Sequence, residues 1–292
     1  MQRMIQKPIL PAPGTRRPTS VATLALAFLA LGGASADAQT PIAVDNAGFE
    51  ELYLGGNLPA QYGGVVPAGA FPTGAPPSDW TAYYENGSPM GGMFLGVLNP
   101  GTAAQHAPNP AYFPAGAPEG NNAVLVYMSG DAGGDEFGVE QTLTDTLQAG
   151  TTYVLTVEVG NIASGSGLVA PYNSFFDLQG FPGYRVQLLA GGQVIAEDTG
   201  NVAPGEGIFE TTTVMHTTGA SPSQLGQPLG IRLVSQNQPD VPGVDGLEVD
   251  FDDVRLSSVT PSAVPLAPVV AAVVLPFALA LAGLVLCVRR PR

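Results

Sequence analysis

Two acids standing together near the end of the chain, Asp252 and Asp253, are the first residues here whose spacing invites chemistry. They sit in Phe251-Asp252-Asp253-Val254-Arg255-Leu256, where Val249 and Phe251 share one strand parity and Val254 and Leu256 share the other. A regular strand would bury Asp253 beside Phe251, and a β-bulge at Asp252–Asp253 resolves that conflict while re-aiming the carboxylates. Carboxylates fixed side by side repel unless a cation or hydrogen bonds satisfy them. If the first and last strands lie together, Glu50 approaches Asp252. An oxygen-only set of that kind suits calcium, which takes roughly six to eight oxygens. Capping of the same carboxylates by backbone N–H groups is the competing reading.

A second chemistry is sugar binding, which needs exposed aromatic faces beside amides or carboxylates. Trp80, Tyr83 and Tyr84 with Glu85 and Asn86 form one candidate set, and Tyr172, Phe175 and Phe176 with Asn173 and Asp177 form another. Ordinary packing of these rings is the alternative. Asp131-Ala132-Gly133-Gly134-Asp135-Glu136 is a loop-like acidic run without the full calcium-loop pattern, and reads as a solvated turn. Support for catalysis is thin. There are two histidines, His106 and His216, and no H-E-x-x-H, G-x-S-x-G or phosphate-loop motif. The one cysteine, Cys287, lies outside the exterior domain. The expectation is therefore a non-enzyme, with glycoside hydrolysis by a carboxylate pair as the lesser alternative.

The elements that must position these residues are strands. Thr151 to Val159 alternates with Tyr153, Leu155, Val157 and Val159 on one face. Tyr184, Val186 and Leu188 alternate with Arg185 and Gln187, and Gly191-Gly192 then turns into Gln193 to Ala196 as a hairpin. Ala123 to Met128, Val139 to Leu143, Ile208 to Met215, Leu229 to Val234 and Leu247 to Leu256 complete the main set. Residues 54–120 form a loop-rich insertion dense in Gly, Pro, Ala and Asn. Strands near Trp80–Tyr84 and Met93–Leu98, and more aromatics than a solvated linker needs, predict that it is ordered against one end of the domain. The fold class is all-β, a jelly-roll sandwich.

The ends read as addresses. Residues 1–38 carry Arg3, Lys7, Arg16 and Arg17 with no acid before Asp37. An apolar run from Val21 to Leu31 follows, and then the small-residue sites around Ala36 and Ala38. This is a Sec signal peptide. The exterior domain then spans 39–258, with three arginines, no lysine and 23 acids, a net charge of −20. Such a surface repels nucleic acid and attracts divalent cations. Residues 259–268 are a Pro-containing spacer. The run from 269 to 288 is apolar and uncharged, long enough to cross a bilayer, and 289–292 are a basic cytoplasmic tail.

The order of short Pro motif, apolar helix and terminal arginines resembles the PEP-CTERM sorting signals of exopolysaccharide-making bacteria. Val264-Pro265-Leu266-Ala267-Pro268 stands where the common form has V-P-E-P. The resemblance implies processing by an exosortase near Val264, Pro265 and Pro268, and a domain held at the membrane or released to the surface or matrix. The alternative is a plain tail anchor. Within the exterior, Asn46-Ala47-Gly48-Phe49-Glu50, Leu147-Gln148-Ala149-Gly150-Thr151-Thr152-Tyr153-Val154-Leu155 and Asp252-Asp253-Val254-Arg255-Leu256 together resemble the galactose-binding-like jelly rolls, including carbohydrate-binding modules. That likeness implies a structural calcium held by Glu50 and Asp252, with Asp253 where Asn is often found. The function these readings predict is a non-catalytic surface protein that binds glycan or exopolysaccharide. A structural or adhesive protein with a protein partner is the alternative.

Overall fold

The computed structural model describes residues 39–52, 65–89, 91–129, 135–238 and 246–260. The signal-peptide, sorting-motif and apolar-tail readings lie outside these residues, as does the spacer beyond Thr260. In chain order the elements are β1 (Thr40–Ile42), β2 (Thr81–Tyr84), β3 (Met93–Leu98), the single-turn helix α1 (Ala103–His106), β4 (Ala123–Ser129), β5 (Phe137–Thr146) and β6 (Thr152–Asn161). They continue with β7 (Gly165–Ser166), β8 (Phe175–Phe176), β9 (Tyr184–Ala190), β10 (Gln193–Asp198), β11 (Ile208–Thr217), β12 (Pro228–Ser235) and β13 (Gly246–Val259).

The strands stack as two antiparallel sheets. The first runs β11-β6-β13-β4-β3, with β1 pairing the lower half of β13, and the second runs β10-β9-β12-β5-β2. The predicted alternation is what closes them. Tyr153, Leu155, Val157 and Val159 face Tyr184, Val186, Leu188, Leu229, Ile231 and Leu233 across the core, all buried. Side chains of one parity in each strand thus leave water together, and that burial is the main driving force for the fold. Gly191 and Gly192 both take positive φ, 58° and 75°, as a two-residue turn between β9 and β10 demands.

β13 is the central strand of the first sheet and the longest. It pairs with β6 in regular register to Asp252↔Glu158, and resumes at Arg255↔Thr156. Two residues of β13, Asp253 and Val254, therefore oppose one of β6, which is the expected β-bulge. Asp253 takes a left-handed φ of 47° there. The shift puts Leu247, Val249 and Phe251 before it, and Val254 and Leu256 after it, on the same inner face. Glu248, Asp250 and Asp252 consequently share the outer face.

That outer face is not open to water. Parts of the insertion, together with Ile162, Phe176, Leu178 and Phe209, cover it, while Thr81–Tyr84 and Met93–Leu98 of the insertion join the two sheets as β2 and β3. Leu98, Tyr112, Phe113, Ile162 and Leu178 pack with Leu125 of β4 into a second buried cluster, joined by Phe71, Tyr127, Phe176 and Phe209. Residues 72–74 close onto the edge of β3 through Val97 N–H to Pro72 O (3.1 Å) and Gly74 N–H to Leu95 O (2.9 Å). Gly96 permits this approach, since a Cβ on it would stand 2.2 Å from Pro72 O.

Candidate active site

Between the first sheet and this outer layer lies a cavity of about 170 Å³. Its walls are Phe71 and Thr73 from the insertion, Phe94 of β3, Tyr112, Leu125 and Tyr127 of β4, Ile162, Phe176 of β8, Leu178 and, from β13, Glu248. The rings brace one another. Phe71 meets Phe176 edge-on at 5.2 Å and Tyr112 at 6.1 Å, while Phe94 and Tyr127 lie 5.9 Å apart. Edge-to-face contacts of this kind fix ring orientation and leave flat apolar walls for an aromatic guest.

Glu248 is the one charged group among the lining residues. It is buried opposite Tyr127 in the β13–β4 register, and its Oε1 has no hydrogen-bond partner in the protein. No described cation serves it. Arg185 pairs with Glu136, Arg232 with Glu140 and Arg255 with Asp253, and the buried ring of His106 engages Pro100 O at 2.8 Å. Burial consequently raises the Glu248 carboxyl to about 7, with a smaller opposing contribution from Asp250. Asp250, fully buried two residues on, is raised as well, by burial first and then by the charge of Glu248. The Tyr112 phenol is raised by burial and then by Glu248, which places its hydroxyl within reach of that carboxyl's field. An aromatic box with a carboxylic acid held protonated near neutral pH is an arrangement for donating a proton to an apolar guest.

The two predicted sugar sets do not assemble. Trp80 is a core residue against Phe49 (5.2 Å), its indole N–H donating to Asn46 O. Tyr84 stacks on Phe137 of the core, while Tyr83 points to the other side of β2 under the Arg232 guanidinium at 3.9 Å. Asn86 is exposed in the turn beyond β2. In the second set, Tyr172 packs on Phe71 at 4.7 Å, Asn173 is exposed and Phe176 lines the cavity. Of the second set, therefore, Phe176 lines the cavity, with Tyr172 packed on its neighbour Phe71.

The bracket residues do converge. Glu50 accepts from Asn121 N–H and Asn122 N–H (2.6 and 2.7 Å) and from the Asn122 side chain (3.1 Å). Asp252 accepts from Glu119 N–H (2.8 Å) and Asp253 N–H (2.7 Å). Both carboxylates thus grip the loop 119–122, and burial still raises Asp252 to about 8. Asp253 faces outward in an ion pair with Arg255. Among the described residues no three acidic or histidine side chains form a group able to hold a metal ion. The buried Asn122 Oδ1, however, is left without a partner. Of the second acidic run, Asp135 and Glu136 are described, and Glu136 serves Arg185 at 2.9 Å.

Sequence reasoning missed Glu248, Asp250 and Tyr112. In Leu247-Glu248-Val249-Asp250-Phe251-Asp252 the alternation reads as a half-solvated strand. The available signal was position: a closing strand flanked on both sides, beneath an aromatic-rich insertion.

The model of one family, HpiC1-like (HpiC1 cyclase), matches residues 40–257, nearly the whole described domain. The chain belongs to the HpiC1-like cyclase family. Among solved structures it is similar to the Stig cyclase Fisc from Fischerella sp. TAU, in complex with (3Z)-3-(1-methyl-2-pyrrolidinylidene)-3H-indole. Identity is 35%, with a TM-score of 0.60, over 77% of this chain and 100% of that one. A cyclase from Fischerella sp. TAU in complex with 4-(1H-indol-3-yl)butan-2-one gives 35%, 0.58, 77% and 100%. An apo cyclase from Fischerella sp. gives 32%, 0.58, 77% and 98%. No curated protein matches the chain.

These findings correct the functional expectation. A family of cyclases replaces the non-catalytic glycan-binding surface protein, and the adhesive and hydrolase alternatives fall with it. The physical reason is visible in the site: Trp80 and Tyr84 of the first predicted sugar set belong to the core, while an aromatic cavity with a buried acid lies on the outer face of the first sheet. The expected glycan and exosortase partners are corrected likewise, since the solved relatives are described with small indole-bearing molecules bound. Among the described residues no helix is long and apolar enough to cross a membrane.

Proposed function

We propose that this HpiC1-like domain closes a ring on an indole-bearing small molecule held in the cavity of Phe71, Phe94, Tyr112, Tyr127 and Phe176. The observation that carries the reading is Glu248, a buried carboxyl with an unpartnered oxygen and the only charged lining group of an aromatic box. The reaction class is cycloisomerisation. Glu248 gives its proton to an unsaturated carbon of the guest, a nucleophilic carbon of the same molecule attacks the resulting electron-poor centre, and loss of a ring proton returns the proton to the site. One C–C bond forms, one π bond is consumed, and mass is unchanged. The aromatic walls exclude water, which would otherwise trap the electron-poor centre.

Two measurements test this. The full chain should bind 4-(1H-indol-3-yl)butan-2-one, a compound seen with a relative, and Leu125→Trp should abolish binding by filling the cavity. An indole carrying an alkenyl chain should be converted to a product of equal mass with fewer vinyl protons, and Glu248→Gln should slow that conversion about 100-fold or more. Absence of both binding and conversion in the wild type overturns the reading.

The corner at Glu50, Asp252 and loop 119–122 supports a structural calcium. Its donors are all oxygen, two carboxylates grip one loop, and the orphaned Asn122 Oδ1 beside Glu50 lacks an electropositive partner. Glu50, Asp252 and Asn122 would hold the ion, with backbone carbonyls completing the set. We read the sandwich as a galactose-binding-like jelly roll, supported by the adjacency of β1 and β13. Residues 1–38 support action after export, and amino-terminal sequencing of the mature chain should begin at Gln39.

A further inference from the structure

We propose, on the indole reading of the cavity, that Thr73 accepts the indole N–H of the guest and so sets which carbon of the attached chain meets Glu248. An indole N–H is a donor only, and burying it without an acceptor costs about 1–3 kcal/mol. An aromatic box that holds an indole ring therefore needs one oxygen aimed at that nitrogen, and the position of that oxygen relative to the acid decides how the guest lies.

Four lining side chains carry a polar atom: Glu248, Tyr112, Tyr127 and Thr73. The first three belong to one end. Glu248 stands opposite Tyr127 in the β13–β4 register. The Tyr127 ring leans over β13, since a Cβ on Gly246 would stand 2.5 Å from its Cζ. Tyr112 lies in the field of Glu248, whose charge adds to the rise that burial gives its phenol. An N–H held by any of these three would bring the indole ring itself to the acid and turn the chain away from it.

Thr73 stands at the other end. It bridges Gly96 of β3, and β4 lies between β3 and β13, so two strand spacings, about 10 Å, separate β13 from the strand that Thr73 adjoins. Phe71 and Thr73 flank Pro72 and both line the cavity. Val97 N–H to Pro72 O (3.1 Å) and Gly74 N–H to Leu95 O (2.9 Å) hold Thr73 from either side. No described residue engages its hydroxyl, which is free to accept from a guest. With the indole nitrogen fixed there, the chain runs across Leu125 and Tyr127 of β4 toward Glu248.

Two probes titrated against the full chain test the contact: 4-(1H-indol-3-yl)butan-2-one and its N-methyl counterpart. Thr73→Val, close to threonine in size, should weaken binding of the N–H probe about tenfold and leave the N-methyl probe within about twofold, so that the difference between the probes collapses. Thr73→Ser should keep that difference, and so should Tyr112→Phe. With an alkenyl indole, the wild type should release one ring isomer and Thr73→Val a mixture. Failure of the wild type to bind the N–H probe overturns the indole reading and this contact with it. Binding by the wild type with a probe difference that survives Thr73→Val, or that disappears in Tyr112→Phe instead, overturns the contact alone, as does the same single isomer from wild type and Thr73→Val.

Discussion

Glu248 carries two consequences that can be separated by pH. As the proton donor it must be protonated, so turnover should be high at acidic and neutral pH and fall as pH rises through about 7. A kcat/KM profile for the wild type checks this, and a plateau continuing well into the alkaline range would remove Glu248 as the acid. The same group marks stability. Its folded value, about 7, exceeds the ordinary 4.5, so between those values the native state holds a proton that the unfolded chain has lost. Stability from this group is full below about 4.5 and declines as pH rises to 7, by on the order of 3 kcal/mol. Glu248→Gln cannot ionise, and its melting temperature should fall less than that of the wild type over that window. The variant is thus expected to be slower and, at pH 7 and above, no less stable, which separates loss of the acid from loss of the fold.

At the scale of elements, β13 shows what the sequence could and could not convey. Its bulge was legible because Phe251 and Val254 cannot both face the core without an extra residue between them. The left-handed φ of Asp253 follows from that extra residue, and a β-branched side chain tolerates it poorly. Asp253→Val should therefore lower stability by about 1–3 kcal/mol in a denaturant titration, whereas Asp253→Asn should change it little. The alternating strands were legible for the same reason, that burial imposes a period of two. Glu248 and Asp250 were not, because an acid at every second position looks the same whether water or an insertion covers that face. Only the tertiary course of the segments around Phe71, Tyr112 and Ile162 decides it. Gly96 is the counterpart on the other side of the cavity. Gly96→Val pushes Pro72 and Thr73 off β3, opening the wall to which Thr73 and Phe71 contribute. The two-sheet core beneath is untouched, so the variant should remain folded, destabilised by about 1–3 kcal/mol, and lose ligand binding.

For the whole molecule, the question is what holds an insertion-covered sandwich together when the described domain has no disulfide and a strongly acidic exterior. The core of two sheets is one answer, and the bracket corner is the other. Glu50 follows β1, Asp252 lies in β13, and both grip loop 119–122 immediately before β4, so the corner ties the chain's opening, its middle and its close. Without a cation, burial holds the Asp252 carboxyl at about 8, and ionising it there costs stability as pH rises from the ordinary 3.8 toward that value. A bound calcium reverses the sign, since it favours the ionised carboxylate and its affinity grows as pH rises. With free calcium at about 100 times its Kd, the native state gains about 2.7 kcal/mol, which for a domain of this size raises Tm by roughly 5–10 °C. Melting curves at pH 5 and pH 8, with calcium and with excess chelator, should therefore diverge most at pH 8. Glu50→Ala should lower Tm and remove the chelator effect. Superimposable curves at both pH values would leave backbone N–H capping as the sole support of the corner, and the sandwich as the source of the fold's stability.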